Sequence, residues 1–377
     1  MSEYYEFFAG GGMARAGLGT SWTCRFANDF DKKKAASYAA NWGGEHLKID
    51  DVAKITLDDL TGNVDLAWAS FPCQDLSLAG SRAGLQGERS GTFWPFWRLM
   101  QELAAAHRAP RMIVLENVTG LLTSSRGKDF AELTKAIAEL DYRFGAVVMD
   151  AVHFVPQSRP RLFVIAVAPG VYLPEGVTRN DPGALWHPRA LVEAKFNLPK
   201  LAQKKWIWWN ISAPSTRTQI FADLIEENPT GVQWHSHAET QALLGMMSPI
   251  NREKVRSAQR SGELHIGALY KRTRNGVQRA EVRFDDVAGC LRTPRGGSSR
   301  QSILVVEGKR VRSRLLSPRE TARLMGLPDY YVLPEKYNEA YHLTGDGLVV
   351  PVISHLARHI LDPIAEADHA QFQAVAA

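Results

Sequence analysis

The feature that most constrains the fold is an alternation. Through the first 170 residues, short apolar runs trade places with amphipathic helical stretches. Such a chain feeds a parallel sheet, because two parallel strands need a long crossover between them, usually a helix. Strands are predicted over 4–8, 25–28, 64–69, 112–116, 146–149 and 162–168, and helices over 32–41, 92–107 and 128–140. The expected architecture is α/β, a doubly wound, mostly parallel sheet. From about residue 171 the pattern dissolves into Pro, Gly and scattered aromatics, and five of the ten tryptophans fall between Trp186 and Trp234. That composition predicts a smaller, irregular second domain. Helical periodicity returns over 317–325, where Ser317-Pro318-Arg319-Glu320 has the residues of a capping box with Pro at the first helical position. A last apolar helix over 350–361 is long enough to pack back onto the first domain, and the final, Ala-rich dozen residues are expected to fray. The domain bounds expected are 1–180, 181–339 and 340–377.

A net charge of +5 over 377 residues says little until it is divided. Residues 251–320 hold 17 Lys and Arg against 7 Asp and Glu, while the rest of the chain is net negative. A positive excess confined to one stretch points to a polyanion partner. The same stretch contains Lys271-Arg272-Thr273-Arg274 and the loop Thr293-Pro294-Arg295-Gly296-Gly297-Ser298-Ser299-Arg300-Gln301. Gly and Ser admit close backbone approach to phosphates, and Arg forks onto a phosphate or a guanine edge. Three cysteines are too few for a disulfide framework and suggest a reducing compartment. No signal peptide or membrane-length apolar run is present, so a soluble, cytoplasmic protein is expected.

Two groups of residues carry chemistry. The first strand runs into Phe8-Ala9-Gly10-Gly11-Gly12-Met13, a turn that lets a ligand lie against bare backbone at a helix start. Asp29 follows about 20 residues later, where a carboxylate holds ribose hydroxyls, with Phe30 beside it for a purine face. Asp51-Val52 is placed for an adenine edge. Arg15 stands where a dinucleotide motif begun at Gly10 wants its last glycine, which disfavours a nicotinamide dinucleotide. The second group lies at later strand ends: Pro72-Cys73-Gln74, then Glu116-Asn117, then Gln157-Ser158-Arg159-Pro160-Arg161. A thiol, an acid and guanidinium groups together form a set that packing alone does not require, and Arg159 and Arg161 share a face if their segment is extended.

These residues resemble the cytosine-C5 DNA methyltransferases. Phe8–Gly12 is similar to the family's cofactor loop, Phe71-Pro72-Cys73-Gln74 to its nucleophile loop, Glu116-Asn117-Val118 to its acid motif and 157–161 to its Q-x-R-x-R motif. Arg319–Pro328 and Gly345-Asp346-Gly347-Leu348 resemble its last two motifs. The resemblance implies a Rossmann-like methyltransferase fold with a target-recognition domain. It also implies S-adenosylmethionine as cofactor, no metal, and double-stranded DNA as partner of a monomeric, bacterial or phage enzyme. It assigns the cofactor to Phe8, Ala9, Gly10, Gly12, Met13, Asp29, Phe30, Asp51, Val52, Pro72, Asp346 and Leu348. Cys73 is implied as nucleophile at cytosine C6 of a flipped base, Glu116 as the group on N3 and the amine, Arg161 and Arg159 on O2 or a phosphate, and Asn117 as a brace. Gln74, Ser77, Gln157, Arg272, Arg274, Arg292, Arg295 and Arg300 are implied as substrate contacts. Asp346 stands where the family usually carries Asn, and Met13 replaces a common glycine. The main rival on the same fold is a tRNA cytosine methyltransferase. A silent DNA-binding protein and an oxidoreductase rank below it.

Overall fold

The structure, a computed structural model, describes residues 1–72, 92–274, 276–293 and 299–376. Cys73, Gln74, Ser77 and Arg295 fall outside them, and Arg274 is described as backbone alone. Two compact units emerge. The first holds Met1–Met149, Pro160–Pro214 and Val350–Ala377, and the second holds Asp150–Arg159 and Ser215–Val349.

The first unit is built on seven strands: β1 (Ser2–Phe7), β2 (Trp22–Asn28), β3 (Leu47–Lys48), β4 (Leu66–Ala69), β5 (Met112–Val118), β6 (Arg143–Asp150) and β7 (Pro160–Val167). Their order is β3-β2-β1-β4-β5-β7-β6. β1 to β5 pair in parallel, and β7 runs antiparallel to β5. Leu66, Ala67, Trp68 and Ala69 are all at 0% exposure, so both faces of β4 are covered, as the unbroken apolar run requires. The crossovers are α1 (Met13–Leu18), α2 (Lys32–Trp42), α3 (Phe93–Ala105) and α4 (Lys128–Glu139). The sequence pattern predicted these strands except the two-residue β3, and the helices α2 to α4, to within a few residues at each end.

Three expectations are corrected. Residues 181–214 join the first unit, because the short pair β8 (Thr178–Arg179) and β9 (Trp208–Trp209) and the helices α5 (Arg189–Phe196) and α6 (Lys200–Lys205) pack there. Trp206 meets the rings of Phe130 and Phe144, and Ile207 N–H donates to Phe144 O at 2.7 Å. A Cβ at Gly145 would fall 2.1 Å from Ile207 O, so glycine is what lets this segment close on β6. The second unit is not irregular: it carries an antiparallel sheet, β11-β10-β12-β13, of β10 (Leu264–Arg274), β11 (Val277–Arg283), β12 (Ser302–Glu307) and β13 (Arg310–Leu315). Leu269, Val282, Leu304 and Val306 from it bury against Val255 and Ala258 of the helix Pro249–Ser261. Lastly, the chain end continues as helix through Ala376, held where Asp368 pairs with Arg111 and His369 meets Asp65 at 2.8 Å. The capping box forms as predicted, with Glu320 N–H donating to Ser317 Oγ and Ser317 N–H to Glu320.

Candidate active site

Strands β1, β4 and β5 are parallel neighbours, so their carboxyl ends share one sheet edge, about 5 Å apart from strand to strand. The order reverses at β1, which is where open α/β sheets bind ligands.

At β1 the backbone turns through left-handed conformations at Phe8 (φ 58°), Gly10 (φ 56°) and Gly12 (φ 76°). For Phe8 that conformation costs on the order of 1–2 kcal/mol, strain that clusters at functional turns. Gly12 has a second reason to be glycine, since a Cβ would lie 2.4 Å from Trp42 Nε1. Trp42 itself donates to Gly11 O at 3.0 Å. Asp29 ties the second strand to this loop: its carboxylate accepts from Gly10 N–H and from Asp31 N–H, both at 2.8 Å. Burial raises its pKa, opposed by Lys34 and those two amides. Phe30 next to it is 69% exposed, an aromatic face turned to solvent. Asp51 caps the turn Val52–Lys54 by accepting from Ala53 N–H at 2.9 Å, and Val52 is buried. Ala9 and Met13 are buried, and Gly10 has open space where a Cβ would stand. These features fit an adenosine-bearing ligand: bare backbone, a carboxylate with lone pairs to spare, and an uncovered ring.

Glu6 is the residue sequence reasoning missed. It sits on β1 at 1% exposure, and burial pushes its carboxyl up to about 8 against the pull of Arg15. An acid alone in the aromatic run Tyr4-Tyr5-Glu6-Phe7-Phe8 was the available signal.

At β5 the ladder sets the chemistry. Antiparallel pairing places Arg161 opposite Val118 and so diagonally across from Glu116 on the same face. Arg161 Nε meets Glu116 Oε1 at 3.2 Å, and both side chains are largely buried. Asn117, on the opposite face, donates from Nδ2 to Phe71 O at 3.3 Å, one residue before the half-buried Pro72. The first unit thus gathers the glycine turn, Asp29, Phe30, Asp51, Pro72, Glu116, Asn117 and Arg161.

The remaining residues belong to the second unit, where two expectations change. Gln157 is 0% exposed and both ends of its amide are taken, Nε2 donating to Leu324 O at 2.8 Å and Oε1 accepting from Leu291 N–H at 3.0 Å. It is a structural brace with no face left for substrate. Arg159 is 2% exposed and donates to Leu291 O, Gly345 O and Gly347 O at 2.7–2.9 Å, and to Cys290 Sγ at 3.2 Å. Its guanidinium positions the segments on either side of Asp346. Asp346 accepts from Thr293 Oγ1 at 2.8 Å, and Leu348 is buried. Arg272 and Arg292 are exposed, and Arg300 is half-buried against the Tyr337 ring and Asn338.

A doubly wound sheet with a glycine turn after β1 and an acid at the end of β5 defines a Rossmann-like methyltransferase. The sequence profile of the C-5 cytosine-specific DNA methylases matches residues 3–362, and the chain belongs to that family. It is therefore an enzyme of DNA methylation that transfers a methyl group to cytosine, and the family implies S-adenosylmethionine as the donor. Relatives include the type II methyltransferase M.BsuFI of Bacillus subtilis, 27% identical across 94% of this chain and 71% of that protein. The type II methyltransferase M.HhaI of Haemophilus parahaemolyticus is 25% identical across 95% and 94%. Among solved structures, Dnmt2 methyltransferase of S. pombe superposes with a TM-score of 0.60 at 17% identity, covering 97% of this chain and 99% of that one, a likeness of fold.

Proposed function

We propose that this enzyme methylates C5 of a flipped-out cytosine in a specific duplex DNA sequence, through a temporary bond between Cys73 Sγ and C6. The observation that best supports this reading is the Glu116–Arg161 pair at the sheet edge, beside the Asn117 anchor on Phe71 O. Cytosine C5 is a weak nucleophile, so a thiolate adding at C6 is needed to load electron density onto C5. Glu116 hydrogen-bonds N3 and the exocyclic amine, which makes C6 electrophilic. Arg161 orients Glu116 and holds O2. Asn117 fixes the backbone at Phe71, two residues before Cys73, and Arg159 acts at a distance as a positioning residue. The glycine turn, Asp29, Phe30, Asp51 and Val52 hold S-adenosylmethionine, which when bound supplies an electrophilic methyl group. A base then removes the C5 proton and Cys73 departs. Extruding the base costs a few kcal/mol, offset by phosphate contacts from the basic 251–320 stretch. The enzyme acts as a monomer in a bacterial or phage-infected cytoplasm.

The experiment is incubation with tritiated S-adenosylmethionine and either duplex DNA or tRNA, repeated with Cys73→Ser. Label in DNA that disappears in the variant is the expected result. Label in tRNA alone, or in neither, contradicts the reading.

A further inference from the structure

The glycine turn after β1 is held by more than its own backbone. Phe8, Gly10 and Gly12 all have positive φ, and glycine is free to adopt other conformations, so the turn keeps one shape only if tied from outside. Asp29 ties it at Gly10 N–H and Asn28 O at Ala9 N–H, at 2.8 and 2.9 Å. At Gly11 the tie comes from a side chain: Trp42, the last residue of α2, donates from Nε1 to Gly11 O at 3.0 Å. The same ring occupies the place of a side chain at residue 12, where a Cβ would meet Trp42 Nε1 at 2.4 Å and Cδ1 at 2.6 Å. At Gly10 the corresponding place is open. Trp42 thus covers the turn at one glycine and leaves it free to meet a ligand at another.

Trp42 is itself fixed. Tyr38 and Trp42 are four apart on α2 and share a face. The Arg15 guanidinium of α1 stands over both rings, 5.9 and 5.3 Å from their centroids. Its Nη1 donates to Tyr38 OH at 3.2 Å and to His46 Nε2 at 2.5 Å. Burial, and then the Arg15 charge, lower the His46 pKa, so that nitrogen stays an acceptor. The arginine standing where a dinucleotide motif wants glycine therefore has a use of its own: it holds the Trp42 ring against the turn.

We propose that Trp42, clamped by Arg15, is a positioning residue that keeps the turn in its cofactor-binding shape through Gly11 O. This rests on the reading that the turn holds S-adenosylmethionine. Without the bond a smaller fraction of the free protein carries the competent turn, and apparent affinity falls by that fraction while the bound complex is unaltered. Calorimetry of the full chain with S-adenosylmethionine tests it. Trp42→Phe keeps a ring and loses the donor, so Kd should rise about three- to tenfold, the usual worth of one hydrogen bond. In methyl transfer to unmethylated genomic duplex DNA, the cofactor KM should rise with it and kcat should not fall. Arg15→Met should raise Kd in the parent but add little in the Trp42→Phe background, because it acts through that ring. By reciprocity, bound cofactor should slow solvent exchange of the Trp42 indole N–H in the parent by about the same factor, a measurement that needs no substitution. An unchanged Kd in Trp42→Phe, a fall in kcat instead, additive effects of the two substitutions, or an indole N–H whose exchange ignores the cofactor overturns the inference. Asp29→Ala separates it from the siting of the cofactor. Binding as tight as the parent's in Asp29→Ala overturns that siting and this inference with it. Weakened binding there beside an unchanged Trp42→Phe overturns this inference alone.

Discussion

Replacing Glu6 with Gln should flatten the pH dependence of stability in a calculable way. The carboxyl has its ordinary value near 4.5 when unfolded and about 8 when buried in β1. Between those values the folded chain binds the extra proton, so stability must fall as pH rises. A shift of one unit is about 1.4 kcal/mol, which caps the total near 5 kcal/mol above pH 8. Between pH 5 and pH 7 the loss is about 2–3 kcal/mol. Gln is isosteric and cannot ionise, so the variant keeps this energy. Urea unfolding followed by tryptophan fluorescence at pH 5, 6, 7 and 8 gives both curves. The parent's stability should drop relative to the variant by the stated amount, the gap widening with pH. Parallel curves would show that Glu6 does not hold its proton in the folded protein, and the burial argument would fail.

Other substitutions test separate parts of the account. Glu116→Gln should lower turnover by about 10²–10⁴-fold, and should also lower the unfolding midpoint because Arg161 loses its largely buried partner, measured by methyl transfer and urea titration. Arg159→Met should cost about 3–5 kcal/mol, because it strips two buried carbonyls and a part-buried one of their donor, and Arg159→Lys should recover little since an ammonium cannot fork across them. Gly12→Ala should weaken cofactor binding, read by calorimetry with S-adenosylmethionine, since Trp42 and the positive φ both resist a side chain. Glu320→Gln should destabilise the second unit by about 3–5 kcal/mol, because Arg314 and Glu320 pair at 0% exposure.

The first unit was legible because its strands are buried on both faces, so apolar runs such as Leu66–Ala69 announce themselves without periodicity. Loop glycines and acids at strand ends were legible for the same reason: topology sends them to one edge. The second sheet was hidden by its charge. In β10 and β11, charged residues alternate with Ala280 and Val282, and the basic excess masked the period of two. Domain bounds failed at 181–214 because what binds this stretch to the first unit is long-range, the closure of Ile207 on Phe144 and Gly145. Gln157 and Arg159 misled for a different cause. Motif spacing reveals which residues a site needs but not which of them face inward to hold carbonyls.

The most direct measurement is covalent trapping. Duplex DNA made with 5-fluorocytosine, incubated with the enzyme and S-adenosylmethionine, offers no C5 proton to remove, so the sulfur cannot leave. Mass spectrometry of the digested complex should find an oligonucleotide joined to the peptide containing Cys73. Methylated product released from such DNA, with folded enzyme and no adduct at that residue, would contradict the account.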